Sequence, residues 1–330
     1  MNATFSKLVV IIPCLNEEAT IQKVISAIPS QIEKISEIKV LVVDDGSTDH
    51  TAGCARDAGA VVLRNSTNRG LGRAFALGID YALQMGADIV VNIDGDGQFN
   101  SEDISRLVEP ILRNEADCVT ASRFLDPALT PQMPLVKKWG NRRVAQILGF
   151  LTGKKFRDVS CGFRAYSREA LLNLNLIGNF TYTQETFLDL AFKGFRILEV
   201  PLKVRGVREF GDSRMASSVF RYAMRTGGFI IRTFRDYQPL TVFGTLAFGC
   251  FSVGLALLMF LFIHYLKVGD FSPHKWAGFS GGFLLGCGLI IFTIGLSADM
   301  MHRQRIMNER ILYLLRKDSI EKNNRDYEQP

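Results

Sequence analysis

Val90-Val91-Asn92-Ile93-Asp94-Gly95-Asp96-Gly97-Gln98 is the stretch around which the rest of the chain is read. Three β-branched residues, Val90, Val91 and Ile93, predict a buried strand. The strand stops at Asp94, in a glycine-rich turn. Asp94 and Asp96 stand two apart there, and Gln98 follows two further on. Hard divalent cations take oxygen ligands, and Mg²⁺ is held by one or two carboxylates plus substrate phosphates. A strand that delivers two acids to its carboxyl end, where open α/β sheets bind ligands, suits a metal–diphosphate clamp. The plainer alternative is a polar turn whose Asp residues cap a helix beginning near Ser101.

Upstream, Leu8–Ile12, Val40–Val43 and Val61–Leu63 read as three more buried strands, the first ended by Pro13. Asn16-Glu17-Glu18 opens a helix with Ile21, Val24, Ile25 and Ile28 on one face. Asp44-Asp45-Gly46-Ser47-Thr48-Asp49 follows the second strand with more acid than a turn needs. Asn68-Arg69-Gly70-Leu71-Gly72 leads into a helix through Met85. The β-α-β-α-β-α-β order implies a mostly parallel sheet with right-handed crossovers. Carboxylates or amides at three of four strand ends make one rim of that sheet a site. The first βα turn lacks GxGxxG, and the stretch at 149–154 is one residue short of a P-loop. Downstream lie a helix over Ser101–Asn114, a strand over Cys118–Ala121 and a basic helix over Val136–Leu151. A helix from Arg168, one opening at Gln184-Glu185 and a strand over Ile197–Val200 follow.

The 330-residue chain has a net charge of +6, and its mean hydropathy of +0.12 comes from two apolar runs, Leu240–Leu266 and Trp276–Ala298. Roughly 20 apolar residues span a bilayer, so both qualify. The connector Lys267–Lys275 makes them a hairpin. Gly249, Gly254, Gly281, Gly282, Gly286 and Gly288 allow close helix packing. Arginines concentrate before the first run and after the second, which puts the globular part and the tail in the cytoplasm. Arg221, Arg225, Arg232 and Arg235 interleave with Phe220, Phe229 and Phe234 over Val219–Asp236, as in an interfacial helix. From His302 to Arg316 a helix offers Ile306, Ile311, Leu314 and Leu315 to a partner subunit or to the catalytic domain, and the chain is expected to be disordered from about Lys322. The cations suit anionic lipid rather than nucleic acid. The six scattered cysteines read as reduced packing residues, and no signal peptide is expected from the short N-terminal apolar run.

Ile12-Pro13-Cys14-Leu15-Asn16-Glu17-Glu18, Val43 with Asp44–Asp49, Asn68–Gly72, Asp94–Gln98 and Gly162-Phe163-Arg164 resemble the family 2 inverting glycosyltransferases with a GT-A fold. Val200-Pro201 with Arg208, Gly211, Ser213 and Arg214 resembles the dolichyl- or polyprenyl-phosphate sugar synthases within it. The hairpin resembles members with two membrane helices. Gly95 stands where that family usually has Ala, Arg214 where Lys is frequent, and Cys14 and Leu15 where a small residue or Val and then Tyr are usual. The resemblance implies an α/β GT-A nucleotide-sugar-binding fold, with a cytosolic catalytic domain over 1–213 and a juxtamembrane amphipathic helix over 214–239. Two transmembrane helices follow within 240–300, about 240–266 and 276–298, then a cytosolic C-terminal helix and disordered tail over 301–330.

It also implies that Pro13, Leu15, Glu17, Val43 and Asp45 line a nucleoside pocket, and that Asp94, Asp96 and Gln98, around Gly95, hold Mg²⁺ or Mn²⁺ against a diphosphate. Arg123, Arg208 and Arg214 would neutralise phosphate, and Asp158 would position the acceptor or act as base, with Glu185 a further candidate. The implied reaction is inverting transfer of one hexose, UDP-glucose favoured and GDP-mannose next, to a polyprenyl phosphate. The implied setting is a multi-pass protein of a bacterial inner membrane or its equivalent, as a homo-oligomer. A processive polysaccharide synthase and a non-catalytic nucleotide-sugar-binding membrane protein are the alternatives. The first lacks support because neither Gln-x-x-Arg-Trp nor further membrane helices are present.

Overall fold

The apolar run Leu8–Ile12 forms the middle of β1 (Ser6–Cys14), buried throughout from Leu8 onward. The computed structural model describes residues 6–131, 133, 135–176, 182–205, 228 and 234–328, the side chains of 135–137, 151 and 323–328 excepted. Arg208, Arg214 and most of the basic helix expected over 214–239 lie outside the described residues. β1 pairs in parallel with β2 (Ile35–Asp44) on one side and β4 (Ile89–Asn92) on the other. β3 (Val61–Arg64) extends the sheet beyond β2. Beyond β4 come β6 (Arg164–Ser167), β5 (Cys118–Ser122) and β7 (Ile197–Pro201), in the order β3-β2-β1-β4-β6-β5-β7.

Alternation along β1 sends Leu8, Val10 and Ile12 to one core layer and Val9 and Ile11 to the other. The first layer is closed by α1 (Ile21–Ser26), α2 (Thr51–Asp57) and α4 (Ile104–Leu112). The second is closed by α3 (Leu71–Gln84), α6 (Arg168–Asn173) and α7 (Tyr182–Phe192). A further helix, α5 (Leu135–Thr152), follows β5.

Four details differ from the sequence reading. β1 runs through Pro13, opposite Val43, to Cys14; pairing with β4 stops at Ile11–Asn92, so the N–H that proline lacks falls beyond that ladder. The α1 helix begins only at Ile21, because the amides of Asn16 and Glu17 are drawn to Ser47 Oγ and Thr51 Oγ1. β6 is antiparallel to both β4 and β5; four residues opening on a buried arginine carry no strand signal. Val43 is fully buried in the second core layer, and its Cγ2 lies where a Cβ on Gly78 of α3 would press. Its side chain therefore packs the core instead of lining a pocket.

The chain divides into two compact units, Met1–Ala223 with Leu312–Pro330, and Met224–Ile311. Within the second unit, α8 (Pro239–Val268) and the first part of α9 (Lys275–Glu328) are long and apolar enough to cross a membrane. Only 11% and 17% of their apolar windows are buried, the reverse of a soluble core helix. A Cβ on Gly254 would lie 2.9 Å from Gly281 O, one on Gly281 would lie 3.0 Å from Gly254 O, and Gly288 meets Ala247 O and Phe251. Gly249, Gly282 and Gly286 face open space among the described residues, so half of the glycines expected to pack do so.

The expected break between membrane run and tail is absent. α9 is one helix to Glu328, because Ala298–Arg303 contains neither Gly nor Pro, and i,i+4 pairs such as Asp299–Arg303 and Arg305–Glu309 support it. Within the first unit, its far end packs Tyr313 and buried Ile320 against the second core layer. Arg316 donates to Leu174 O at 2.9 Å and Asn175 Oδ1 at 3.1 Å. The stripe Ile306, Ile311, Leu314 and Leu315, expected to meet a partner subunit or the catalytic domain, is exposed, so Leu314 and Leu315, within the first unit, do not pack on the catalytic domain.

A Cβ on Gly95 would stand 2.6 Å from Cys14 Sγ. Gly95→Ala is therefore expected to destabilise the fold by about 1–3 kcal/mol through overpacking. Cys14→Ala in the same chain should recover most of that loss, measured as non-additivity in a double-mutant unfolding cycle. Additive effects would show that the turn escapes the clash by shifting.

Candidate active site

The carboxyl ends of β1, β2, β4 and β5 open at one rim of the sheet, since β4 and β5 are both antiparallel to the strand between them. Cys14 and Asp44 are register partners, which sets the loops after β1 and β2 side by side. They are stitched together: Asn16 N donates to Ser47 Oγ at 2.9 Å, Thr48 N to Asn16 Oδ1 at 2.8 Å, and Glu17 N to Thr51 Oγ1 at 2.8 Å. Leu15 and Glu17 are half-buried in this loop, and Pro13 is buried.

Asp44 and Asp45 are both buried and both engaged. Asp44 accepts from Ser47 N at 2.8 Å and faces Arg64 Nε at 3.2 Å. Asp45 accepts from Asn65 Nδ2 at 2.8 Å, Arg69 N at 2.9 Å and Gly70 N at 2.7 Å. Asp45 thus fixes the Asn68–Gly72 loop at the start of α3, and any ligand contact it makes is added to that duty.

The Asp94–Gln98 turn is held from below, where Thr20 Oγ1 donates to Gly95 O at 2.6 Å. Asp94 is half-buried and Asp96 buried. Asp96 Oδ1 accepts from Gln98 N at 3.0 Å, an Asx turn. The short helix at Ser101–Asp103 is capped by Asn100, whose side chain accepts from Glu102 N, so neither acid serves as its cap. Asp94 lies against Gly162: a Cβ there would sit 3.3 Å from Asp94 Oδ2 and 3.0 Å from the Tyr182 hydroxyl. A side chain at 162 would press on both neighbours, so glycine lets them come this close. Asn92 donates to Gly162 O at 2.9 Å and to Tyr182 Oη at 3.1 Å. Burial, and then the Asp94 charge, push the Tyr182 phenol well up, so it stays neutral.

The donor set fits a hard cation. Burial first, then the neighbouring charges of Glu17, Asp44, Asp94 and Asp96, push the Cys14 thiol well up. Asp94 and Asp96 themselves offer carboxylate oxygens, the donors that Mg²⁺ and Mn²⁺ take. Among the described residues no group of three or more His, Cys, Asp or Glu forms a protein-only cage. Two carboxylates with ligands left to substrate and water is the usual Mg²⁺ arrangement.

On the other side of the rim, Asp158 is fully buried and receives Arg123 in a two-pronged pair, Nε to Oδ2 at 2.6 Å and Nη2 to Oδ1 at 2.8 Å. Arg123 N also donates to it at 3.1 Å, and Ser160 and Asn141 extend the network. Glu199 on β7 accepts from the amides of Arg157 and Asp158. Burial raises the Asp158 pKa, but the Arg123 charge and its hydrogen bonds outweigh it and hold the carboxyl below the usual range. A general base poised near neutrality needs the opposite shift, so this geometry opposes Asp158 as a base.

Arg164, also fully buried, donates to Val159 O at 3.0 Å and to Thr183 O and Thr186 Oγ1, with its guanidinium 4.9 Å from the Phe187 ring centroid. It rivets the 158–164 loop to the first turn of α7, which carries buried Glu185. Asn92, Tyr182, Asn141, Ser160 and Glu199 join the site without having been singled out in the sequence. Only Asn92, a polar residue inside an apolar strand, carried a signal.

The family profile "Glycosyl transferase family 2" matches residues 9–174. The chain is 30% identical over 307 residues to glycosyltransferase AglJ of Haloferax volcanii, covering 90% of this chain and 95% of that protein. It is 30% identical over 227 residues to polyprenol monophosphomannose synthase of Mycolicibacterium smegmatis, covering 65% and 83%. Among solved structures, glucosyl-3-phosphoglycerate synthase from Mycobacterium tuberculosis, in complex with Mn²⁺, UDP-glucose and phosphoglyceric acid, superposes with a TM-score of 0.54 at 25% identity. That match covers 70% of this chain and 79% of that one. The sheet order, the acid-bearing rim and these matches agree: the chain belongs to glycosyl transferase family 2 and has the GT-A fold.

Proposed function

We propose that this enzyme transfers a single hexose from a nucleoside-diphosphate sugar to a polyprenyl phosphate, with inversion, at a cytoplasmic membrane face. The observation that carries the reading is an acid pair, Asp94 and Asp96, at the sheet rim in a chain that also holds two membrane-length helices. The names of relatives support the acceptor class: besides the mannose synthase, undecaprenyl-phosphate mannosyltransferase of Micrococcus luteus is 30% identical over 227 residues. UDP-glucose is the donor we favour and GDP-mannose the next. α8 and the apolar part of α9 form a transmembrane hairpin in this reading, and the chain works as a homo-oligomer.

Asp94, Asp96 and Gln98 hold Mg²⁺ or Mn²⁺, which when bound supplies Lewis-acid stabilisation of the departing nucleoside diphosphate. Pro13, Leu15, Glu17 and Asp45 border the nucleoside. Arg208 and Arg214 rest on the family resemblance alone as phosphate partners. A lipid-phosphate oxygen attacks the anomeric carbon as the bond to the β-phosphate oxygen breaks. That nucleophile is already anionic near neutral pH, so no strong base is needed. Asp158 accordingly acts by orienting Arg123 toward phosphate, and Glu185 is held at the rim by the Arg164 rivet.

Purified protein given radiolabelled UDP- and GDP-sugars, undecaprenyl phosphate and Mn²⁺ should form one chelator-sensitive glycolipid. A polymer would favour the processive reading, and no product with any common donor would sink the proposal. Asp94→Asn and Asp96→Asn should each lower kcat/KM by about 10²-fold, or about 3 kcal/mol; unchanged glycolipid output would favour a non-catalytic binder. Asp158→Asn leaves Arg123 without its buried counter-charge and should destabilise the fold by about 3–5 kcal/mol at neutral pH. A depressed carboxyl contributes stability above its unfolded pKa of about 3.9 and loses it as pH falls through its lower folded value. The gap between variant and parent in urea unfolding should therefore persist down to about pH 4 and close below it. A gap independent of pH in the acid range would contradict the pairing.

A further inference from the structure

Helix α5 has two apolar faces, and only one of them is used by the fold. Ala145 and Leu148 are buried at 2% and 0% exposure. On the opposite side, Trp139, Ile147 and Phe150 are 62%, 44% and 86% exposed. Positions 139, 143, 147 and 150 recur at three- and four-residue intervals and so share one helical face. The charged residue within that face, Arg143, lays its guanidinium over the Trp139 ring at 5.4 Å, a posture that lets an arginine border apolar surface while its head stays polar.

Charge lies along one flank of this face. A cavity of about 780 Å³ beside it is lined by Lys138, Arg142, Lys154, Lys155 and Arg157 together with Phe150. Lys154 is committed to Phe195 O at 2.7 Å. Among the described residues, none of these cations forms an ion pair with an acid, although twelve such pairs occur elsewhere, from Lys7–Glu37 to Lys322–Asp318. Exposed Trp and Phe on a helix flanked by Lys and Arg that form no ion pair among the described residues is the chemistry of a helix lying in an anionic interface.

We propose that the outer face of α5, formed by Trp139, Arg143, Ile147 and Phe150, seats on an anionic lipid leaflet and is a membrane contact separate from the apolar hairpin. The aromatic rings enter the headgroup–acyl boundary, and the cations on and beside the helix meet lipid phosphates. A soluble protein partner would have to supply both an apolar patch and a large acidic surface. An anionic leaflet supplies both, and a chain anchored in that leaflet holds it at high effective concentration. The inference rests on the membrane placement proposed for α8 and α9, and the two tryptophans of the sequence separate the two ideas.

The test uses the full-length chain in nanodiscs of phosphatidylcholine with or without phosphatidylglycerol, prepared with lipids brominated on the upper acyl chain. Trp276→Phe leaves Trp139 as the reporter, and Trp139→Phe leaves Trp276 for the hairpin. The expected result is loss of roughly half of Trp139 emission to brominated lipid, as for a ring ~5–10 Å into the boundary. The loss should be larger in the anionic discs, with little quenching by aqueous iodide. Trp139 quenched by iodide and untouched by brominated lipid, while Trp276 is lipid-quenched, would overturn the α5 contact and leave the hairpin standing. Trp139 shielded from both quenchers would mean that protein covers the face, which also overturns the proposal. Trp276 escaping lipid would remove the hairpin reading itself.

Discussion

Gathering carboxylates at one rim of a sheet is electrostatically unfavourable, and much of the first unit is arranged around that fact. Glu17, Asp44, Asp94 and Asp96 are close enough together that all four raise the pKa of the single thiol of Cys14. Like charges so placed repel one another unless dipoles or cations intervene. The chain answers residue by residue. Asp44 has Arg64 and the Ser47 amide, Asp45 has the Arg69 and Gly70 amides with Asn65, and Asp96 has the Gln98 amide. Backbone N–H groups carry most of this work, which is why the loops after β1, β2 and β4 are rich in Gly, Ser and Asn. The hard cation proposed for the Asp94–Gln98 turn would complete the same charge balance.

The opposite side of the rim follows a different rule. Arg164 is a cation brought fully into the interior and Arg123 one that is half-buried at its edge, and each is held by several oxygens. Arg123 has Asp158 and Ser160; Arg164 has carbonyls and hydroxyls from the 158–164 loop and α7. Buried charges of this kind contribute little net stability compared with apolar packing, but removing one partner is expensive. Their effect is to fix geometry. Asp94, Gly162 and Tyr182 come within contact distance because the antiparallel β6 strand and the Arg164 rivet hold that loop against β4 and α7.

The second unit works by shape more than by charge. Close approach of α8 and α9 depends on Gly254, Gly281 and Gly288, where a side chain would strike a backbone oxygen or an aromatic ring. Apolar side chains point outward along both helices, and an apolar solvent for them is what the proposed bilayer provides.

Sequence alone determined the βα order, the acids at the strand ends, the two membrane-length apolar runs and the family resemblance. These are local properties: a strand's apolar run, a turn's glycines and a helix's length are all legible within about 20 residues. The tertiary structure decided what those residues touch. It paired Asp158 with Arg123 across 35 positions and Asn92 with Tyr182 across 90. It also set Cys14 against Gly95, sent the Val43 side chain into the core, and inserted a reversed strand that opens on an arginine. Such contacts depend on strand order and register, which periodicity does not encode. A buried ion pair and a pair of solvated charges look the same in sequence, because the difference between them is the absence of water.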